Sequence, residues 1–318
     1  MSPQGSNQGR RIVISEFLDE ASIAQLRTLH EVDYGPELVD APEELARRLA
    51  SASALIVRNR TQVSRALLEA APCMKVVGRL GVGLDNIDLA ACHDRGVVVH
   101  PATGANARSV AEYALAMTLV TLRGAYHHSD LVAAGNWPRS ALMQGREAEG
   151  RTLGIVGFGQ IGQLTGKLAQ AVGLQVIATD PAHGPEVWAA HGVEGVSLET
   201  LLARADAVSL HTPLNETTRG LFDAALLARM RPGAVLINTA RGGIVDEASL
   251  ARALRRGQLG GAAIDVFARE PLPPGGPLTG LPNVWLTPHI AGLSREANAR
   301  VSAMVVSRVL ETLARHGD

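Results

Sequence analysis

Short runs of β-branched residues alternate along this chain with Ala-, Leu- and Arg-rich segments of helical period, and that alternation restricts the fold more than any other feature. Residues 11–15, 54–57, 75–77 and 97–99 form a first series of runs; residues 153–156, 175–178, 207–210, 234–238, 261–266 and 284–286 form a second. A parallel strand returns to its sheet only through a crossover and is covered on both faces, so such runs read as parallel βαβ units. The second series predicts a complete six-strand doubly wound sheet. With 318 residues the chain exceeds the size at which one hydrophobic core stops growing, so two domains are expected. The predicted class is α/β, with two doubly wound parallel-sheet, Rossmann-like domains.

Residues 109–123 have helical periodicity, with Asn106 or Ser109 as caps, and could run from one domain to the other. Residues 294–315 have the spacing of a long amphipathic helix, with Val301, Met304, Val305, Val309 and Leu310 on one face. If that helix returns to the first domain, the first domain is discontinuous. The expected organisation is a tail at 1–10, a first, substrate domain at 11–104 and 291–318, and a dinucleotide-binding domain at 105–290. The tail, rich in Ser, Gln, Asn and Gly, reads as disordered and lacks the apolar segment of a secretory signal. The Pro- and Gly-rich stretch 270–282 reads as an ordered loop beside the site.

Composition excludes several classes of partner. Apolar residues make up 46%, charged residues 19%, and the net charge is -1, which leaves no electrostatic footprint for nucleic acid or an anionic membrane. The longest apolar stretch, near residues 114–122, is broken by Thr118 and Thr121 and falls short of the roughly 20 residues that cross a bilayer. Cys73 and Cys92 form no CxxC pair, so neither a disulfide framework nor a metal site is expected, and a reducing cytoplasm fits.

Directly after the run 153–156 come Gly157, Phe158, Gly159, Gln160, Ile161 and Gly162, followed by a helical stretch. This is the spacing of a dinucleotide fingerprint: a glycine for a tight turn, one for close backbone approach to a diphosphate, and one for helix-strand packing, with free amides at the helix start to bind the anion. A tight strand-helix turn would use the same glycines, but the next run ends at Asp180, 23 positions after Gly157. That is the separation of a carboxylate that bonds a ribose 2'-hydroxyl and repels a 2'-phosphate, so NAD is expected over NADP.

Three further residues follow the ends of other predicted strands, where ligands bind in open α/β sheets: Arg241, Glu270 and His289. Each alone could be a surface charge. Together they match hydride transfer to a 2-keto acid. A guanidinium grips a carboxylate bidentately, an imidazole donates or accepts a proton near neutrality, and a neighbouring carboxylate orients the ring and favours its charged form.

At these residues the sequence resembles the D-isomer-specific 2-hydroxyacid dehydrogenase family, in its 3-phosphoglycerate dehydrogenase-like branch without a regulatory domain. The resemblance rests on residues 76–88 (VVGRLGVGLDNID), 154–162, 211–219 (HTPLNETTR), 230–246 (MRPGAVLINTARGGIVD), 261–271 and 287–292 (TPHIAG). It implies that Arg241, Glu270 and His289 are substrate clamp, histidine partner and acid/base. It further implies that His211, Thr212 and Pro213 border the adenosine, that Thr239 and Ala240 approach the cofactor, and that Asp265 and Gly292 lie near the nicotinamide. A homodimer built by the cofactor domain is also implied. Formate dehydrogenases resemble the fold but carry Gln beside their histidine, where this chain has Glu270.

The resemblance implies that substrate is also bound by Arg58, Asn59 and the turn Leu80, Gly81, Val82, Gly83. The arginines Arg58, Arg60 and Arg79 suggest a second anionic group, phosphate or sulfonate; the competing reading pairs them with Asp85 or Asp88. Asn59 and Val82 stand where phosphoglycerate enzymes commonly have small hydroxyl residues, which brings 3-sulfolactate forward beside 3-phosphoglycerate, with glyoxylate and hydroxypyruvate as other candidates. A different class, an NAD-sensing binding protein without turnover, is the remaining alternative.

Overall fold

A computed structural model describes residues 9–124 and 128–315. The expected tail lies outside the described residues up to position 8; at its end the Arg10 amide donates to Nδ1 of His30 at 3.2 Å. The described residues divide into two compact units, one formed by the chain up to Asn106 together with Leu293 onward, the other by Ala107–Gly292.

The first unit is a five-stranded parallel sheet made of β1 (Arg11–Ile14), β2 (Glu31–Tyr34), β3 (Ala54–Val57), β4 (Val76–Arg79) and β5 (Val98–Pro101), in the order β2-β1-β3-β4-β5. Alternate residues of each strand serve opposite faces. Ile12, Ile14, Ala54, Ile56 and Val76 pack against Val301, Val305, Val306, Val309 and Leu313 of the long helix Arg295–Arg315. Val13, Leu55, Val57 and Val77 pack against Leu45, Leu49, Leu68, Ala91 and Cys92 on the other face. Ser294 starts the long helix by accepting the Ala297 amide at 3.0 Å.

Strand β2 was not among the expected runs. Its sequence Glu-Val-Asp-Tyr carries charge because it is an edge strand: Asp33 takes hydrogen bonds from Arg11 and Arg48, each at 2.7 Å. An edge tolerates such residues and is protected by them.

The second unit is a seven-stranded parallel sheet of β6 (Thr152–Val156), β7 (Gln175–Thr179), β8 (Glu194–Gly195), β9 (Ala207–Leu210), β10 (Val235–Asn238), β11 (Gly261–Ile264) and β12 (Val284–Leu286). The order is β12-β11-β10-β9-β6-β7-β8. The two-residue edge strand β8 is an addition to the six expected. The order reverses where β6 pairs with β9, Leu153 opposite Ala207 and Val156 opposite Leu210. At such a switch point the crossovers leave in opposite directions, and the carboxyl ends of the strands open as a crevice. Among the described residues no helix is long and apolar enough to cross a membrane.

Candidate active site

The fingerprint turn leaves the carboxyl end of β6. Gly157 has φ +90, and a Cβ there would stand 2.7 Å from the backbone carbon of His211 and 2.8 Å from the Thr212 amide. A side chain is thus excluded both by conformation and by the backbone leaving β9. At Gly162 a Cβ would lie 2.3 Å from the Gly157 carbonyl oxygen, so the third glycine sets how closely the helix Gln160–Ala171 meets the turn.

Gly159 is different. Its added Cβ would meet nothing within 4 Å, so only an approaching ligand would feel a side chain there. The helix behind it has no side-chain cap, which leaves first-turn amides to bind an anion. Gln160 is exposed and Ile161 partly buried at that end, whereas the Phe158 ring is wholly buried against Trp188, centroids 5.2 Å apart, and has no side-chain atom to offer a ligand. Asp180 follows β7 and reaches back: Oδ2 accepts the Phe158 amide at 2.7 Å and Oδ1 the Ala182 amide at 2.8 Å. The carboxylate that would select the ribose therefore also braces the fingerprint.

Beyond β9, Nε2 of His211 lies 2.9 Å from the Ser209 hydroxyl, and burial pushes its pKa down to about 4, so the ring is neutral at physiological pH. Thr212 is half-buried and Pro213 exposed; the Pro213 carbonyl accepts the Thr218 hydroxyl at 2.6 Å, which shapes that loop. Beyond β10, the Thr239 hydroxyl oxygen is buried without a hydrogen-bond partner among the described residues. Leaving such a group unsatisfied costs about 1–3 kcal/mol. An open cradle at Gly159 and uncapped amides past β6, with an orphaned hydroxyl past β10 two strands away in the same sheet, fit a dinucleotide.

Arg241 follows Thr239 and Ala240 on a loop shaped by Asn238, which is 1% exposed. Its amide nitrogen donates to the Arg241 carbonyl and its carbonyl oxygen accepts the Ala240 amide, both at 3.1 Å. The Arg241 guanidinium donates to the Ala240 carbonyl at 2.7 Å. Next to it, a Cβ on Gly242 would fall 1.8 Å from the Phe267 carbonyl oxygen. The Arg241 loop is therefore pressed onto the backbone that leads from β11 to Glu270. Asn238 and Gly242 were not singled out from the sequence. A buried Asn closing a strand-end turn is a recognisable signal; a glycine needed for contact with a distant loop is not.

Oε1 of Glu270 accepts the Phe267 amide at 3.0 Å, and Oε2 is 2.7 Å from Nδ1 of His289. Burial alone would raise the Glu270 carboxyl. The hydrogen bonds from His289 and Phe267, with the charges of His289 and Arg241, outweigh it and hold the group below its ordinary range. Nε2 of His289 is left with no protein partner among the described residues. His289 has φ +57, outside the usual range of a residue with a side chain, and the buried carboxylate of Asp265 holds the chain around it by accepting the Ile290 and Ala291 amides, each at 2.8 Å. Gly292 closes this segment, half-buried. In the loop that follows Glu270, Leu278 is buried and Arg255 donates to the Pro277 carbonyl at 2.8 Å.

In the first unit, Arg58 and Asn59 follow β3. Buried Glu16 pins that loop, accepting the amides of Arg58 at 2.8 Å, Thr61 at 3.0 Å and Arg60 at 3.3 Å. The Arg58 guanidinium donates to Oδ1 of Asn298 at 2.8 Å and lies over the Phe17 ring, 5.6 Å from its centroid. Arg60 pairs with Asp40. The reading that tied Arg58 and Arg60 to Asp85 or Asp88 is corrected accordingly: those acids lie on the loop after β4, and Asp88 is occupied in starting a helix by accepting the Ala91 amide at 2.8 Å. Leu80 is buried in the core, Gly81 turns with its amide 2.8 Å from the Arg79 carbonyl, and the amides of Val82 and Gly83 have no protein acceptor among the described residues. Asn59 and Val82 are exposed. Among the described residues no group of acids, histidines and cysteines could hold a metal ion.

Residues 115–291 match the D-isomer specific 2-hydroxyacid dehydrogenase, NAD binding domain. The chain is 50% identical over 303 residues to the (S)-sulfolactate dehydrogenase of Chromohalobacter salexigens, covering 95% of this chain and 98% of that protein. It is 41% identical over 305 residues to the D-3-phosphoglycerate dehydrogenase of Mycobacterium leprae, covering 95% of this chain and 57% of that protein, so it spans little more than half of that relative. Among solved structures it is similar to the TT0316 protein from Thermus thermophilus, with a TM-score of 0.88 and 36% identity over 96% of this chain and 97% of that one.

Proposed function

The chain belongs to the D-isomer-specific 2-hydroxyacid dehydrogenase family, an NAD-dependent oxidoreductase family, and from that premise we propose that it interconverts a C3-sulfonated 2-hydroxy acid and its 2-keto acid. The observation that carries the reaction is the 2.7 Å pairing of His289 with Glu270, on a loop against which the Arg241 turn is packed. The hydride chemistry would come from NAD held at the fingerprint: hydride leaving C2 in oxidation would pass to the oxidised cofactor, and in reduction it would come back from NADH. Arg241 binds the substrate carboxylate and polarises the adjacent carbonyl. Glu270 fixes the ring through Nδ1, and Nε2 of His289 takes the hydroxyl proton in oxidation or returns it in reduction. The fingerprint amides, Thr239 and Asp180 hold the cofactor, with His211 to Pro213, Ala240, Asp265 and Gly292 around it.

Charge counting supports the sulfonate. Arg58 has no ion-pair partner among the described residues: its contacts are an amide oxygen and an aromatic face, and Glu16 is engaged by three amides. Arg60 is neutralised by Asp40. Of the two arginines on the loop after β3, Arg58 alone thus keeps an unpaired charge, and one guanidinium there matches the single charge of a sulfonate better than the roughly −1.5 to −2 of a phosphate monoester at pH 7. Asn59 and the amides of Val82 and Gly83 add neutral donors. The names of the two relatives also agree in handedness. Sulfur on C3 outranks the carboxyl group in the sequence rules, while a C3 phosphoester ranks below it, so an S centre in sulfolactate and the D centre of 3-phosphoglycerate share one arrangement in space.

Steady-state reduction of a panel of 2-keto acids with NADH tests this. The expected result is highest kcat/KM with 3-sulfopyruvate, and about 10- to 100-fold less with hydroxypyruvate or glyoxylate, which lack the second anion, as loss of a charged hydrogen bond worth about 1.5–3 kcal/mol implies. A preference for 3-phosphonooxypyruvate would overturn the sulfonate. NADH binding with no turnover on any member of the panel would favour a sensing protein instead.

The assembly we propose is a homodimer formed through the second unit. Residues 129–143 expose Leu131, Val132, Trp137, Leu142 and Met143, with Trp137 77% and Met143 74% accessible, a concentration of apolar surface that a second copy would cover. Light scattering at micromolar concentration should return twice the chain mass of 33.4 kDa, and Trp137→Glu should return one; a monomeric parent protein would remove the proposal.

A further inference from the structure

The segment that carries His289 is tied by a line of hydrogen bonds to a helix far away in sequence. Asp265 lies just past β11 and is 1% exposed. Its Oδ1 accepts the Ile290 amide at 2.8 Å and the Thr287 hydroxyl at 2.6 Å, its Oδ2 accepts the Ala291 amide at 2.8 Å, and its carbonyl accepts the His289 amide at 2.9 Å. The segment from Thr287 to Ala291 thus closes around one buried carboxylate. It needs that restraint, because His289 sits at φ +57, a conformation costly for any residue with a Cβ.

A threonine hydroxyl has one proton to give. Thr287 gives its proton to Asp265, so the Tyr113 hydroxyl, 2.5 Å from Oγ1 of Thr287, is the donor in the other contact. Tyr113 stands on the helix Ala107–Arg123 and is separated from Thr287 by 174 positions. We infer that Tyr113 is a positioning residue for His289: its hydroxyl, donating to Thr287, fixes the direction of the Thr287–Asp265 hydrogen bond and through it the segment that presents the imidazole to Glu270. Donation into Thr287 also polarises the next bond in the line. The inference rests on reading His289 as the acid/base.

The groups that face Asp265 are Tyr113 and Thr287 through this line and His289 through its charge. Burial pushes the Asp265 carboxyl up, against the bonds from Thr287, Ala291 and Ile290 and the charge of His289. Without the Tyr113 hydroxyl, Thr287 is free to turn and donate elsewhere. Asp265 then loses one of the bonds that favour its ionised form, its pKa rises further, and the segment loosens at a higher pH than in the parent protein.

The test uses the full chain with NADH and the best 2-keto acid of the panel. Tyr113→Phe is expected to lower kcat about three- to ten-fold, the size of one ordinary hydrogen bond, with KM and the NADH Kd unchanged, and to move the acid limb of the kcat-pH profile to higher pH. Thr287→Val should reproduce both effects, and the double variant should be no slower than the slower single variant, because both changes cut one line. Additive losses in the double variant would overturn the inference. So would a Tyr113→Phe protein with the parent's kcat and pH profile, including one that melts at a lower temperature, since that marks a packing residue. Failure of the underlying reading shows separately, as turnover retained by His289→Ala.

Discussion

Replacing His289 by alanine should lower kcat about 10²- to 10⁴-fold, the range that proton transfer by a positioned side chain contributes, while the NADH Kd stays within about twofold of the parent value. The ring is committed at Nδ1 to Glu270 at 2.7 Å, which leaves Nε2 to work on the substrate oxygen. Nothing in the fingerprint depends on that ring: the turn is built by Gly157, Gly162 and Asp180, which meet His211, the Gly157 carbonyl and Phe158. Cofactor fluorescence titration and single-turnover rates separate the two effects. A variant within tenfold of the parent kcat would remove His289 from the role; lost NADH binding would point to a wider disturbance.

The same pair sets a pH expectation. The Glu270 pKa is depressed in the folded chain, so its contribution to stability is fully present above the unfolded value of 4.5 and is lost as pH falls through the lower folded value. The carboxylate is partly exposed, so this contribution is modest. Its effect on catalysis is larger, because a protonated Glu270 no longer fixes the ring.

What could be read from the sequence follows from how local each constraint is. The interior strands of both sheets are short apolar runs because both faces are covered, and Gly157 and Gly162 stand at fixed spacing because the turn, the β9 backbone and the helix leave no room for a side chain. Strand β2 escaped because an edge strand salted with Glu31 and Asp33 carries no such run. Arg241, Glu270 and His289 are visible as polar residues just past strand ends. The parts that aim them are not: Gly242 against Phe267 and Tyr113 reaching Thr287 join segments far apart in sequence, as does Glu16 against the three amides of the Arg58 loop in the first unit. Local pattern and spacing carry no information about such contacts until the sheet order is known.

Arg241 offers the second large effect. Arg241→Lys keeps the charge and should still cost about 10²- to 10⁴-fold in kcat/KM, as expected if two charge-assisted hydrogen bonds of about 1.5–3 kcal/mol each are lost with the planar fork. The arginine is aimed by its own loop: its carbonyl is held by Asn238 at 3.1 Å, its guanidinium by the Ala240 carbonyl at 2.7 Å, and the neighbouring Gly242 by contact with Phe267. A lysine ammonium has no fork with which to hold both that carbonyl and a carboxylate. Because the Arg241 charge is one of the influences that depress Glu270, Arg241→Ala should in addition let the Glu270 carboxyl rise and shift the acid limb of kcat/KM to higher pH, a shift that Arg241→Lys should largely avoid. Measuring both profiles therefore divides the residue's two duties. If Arg241→Lys stayed within about threefold of the parent, the clamp would have to be a simple point charge, and the carboxylate recognition argued for this site would be wrong.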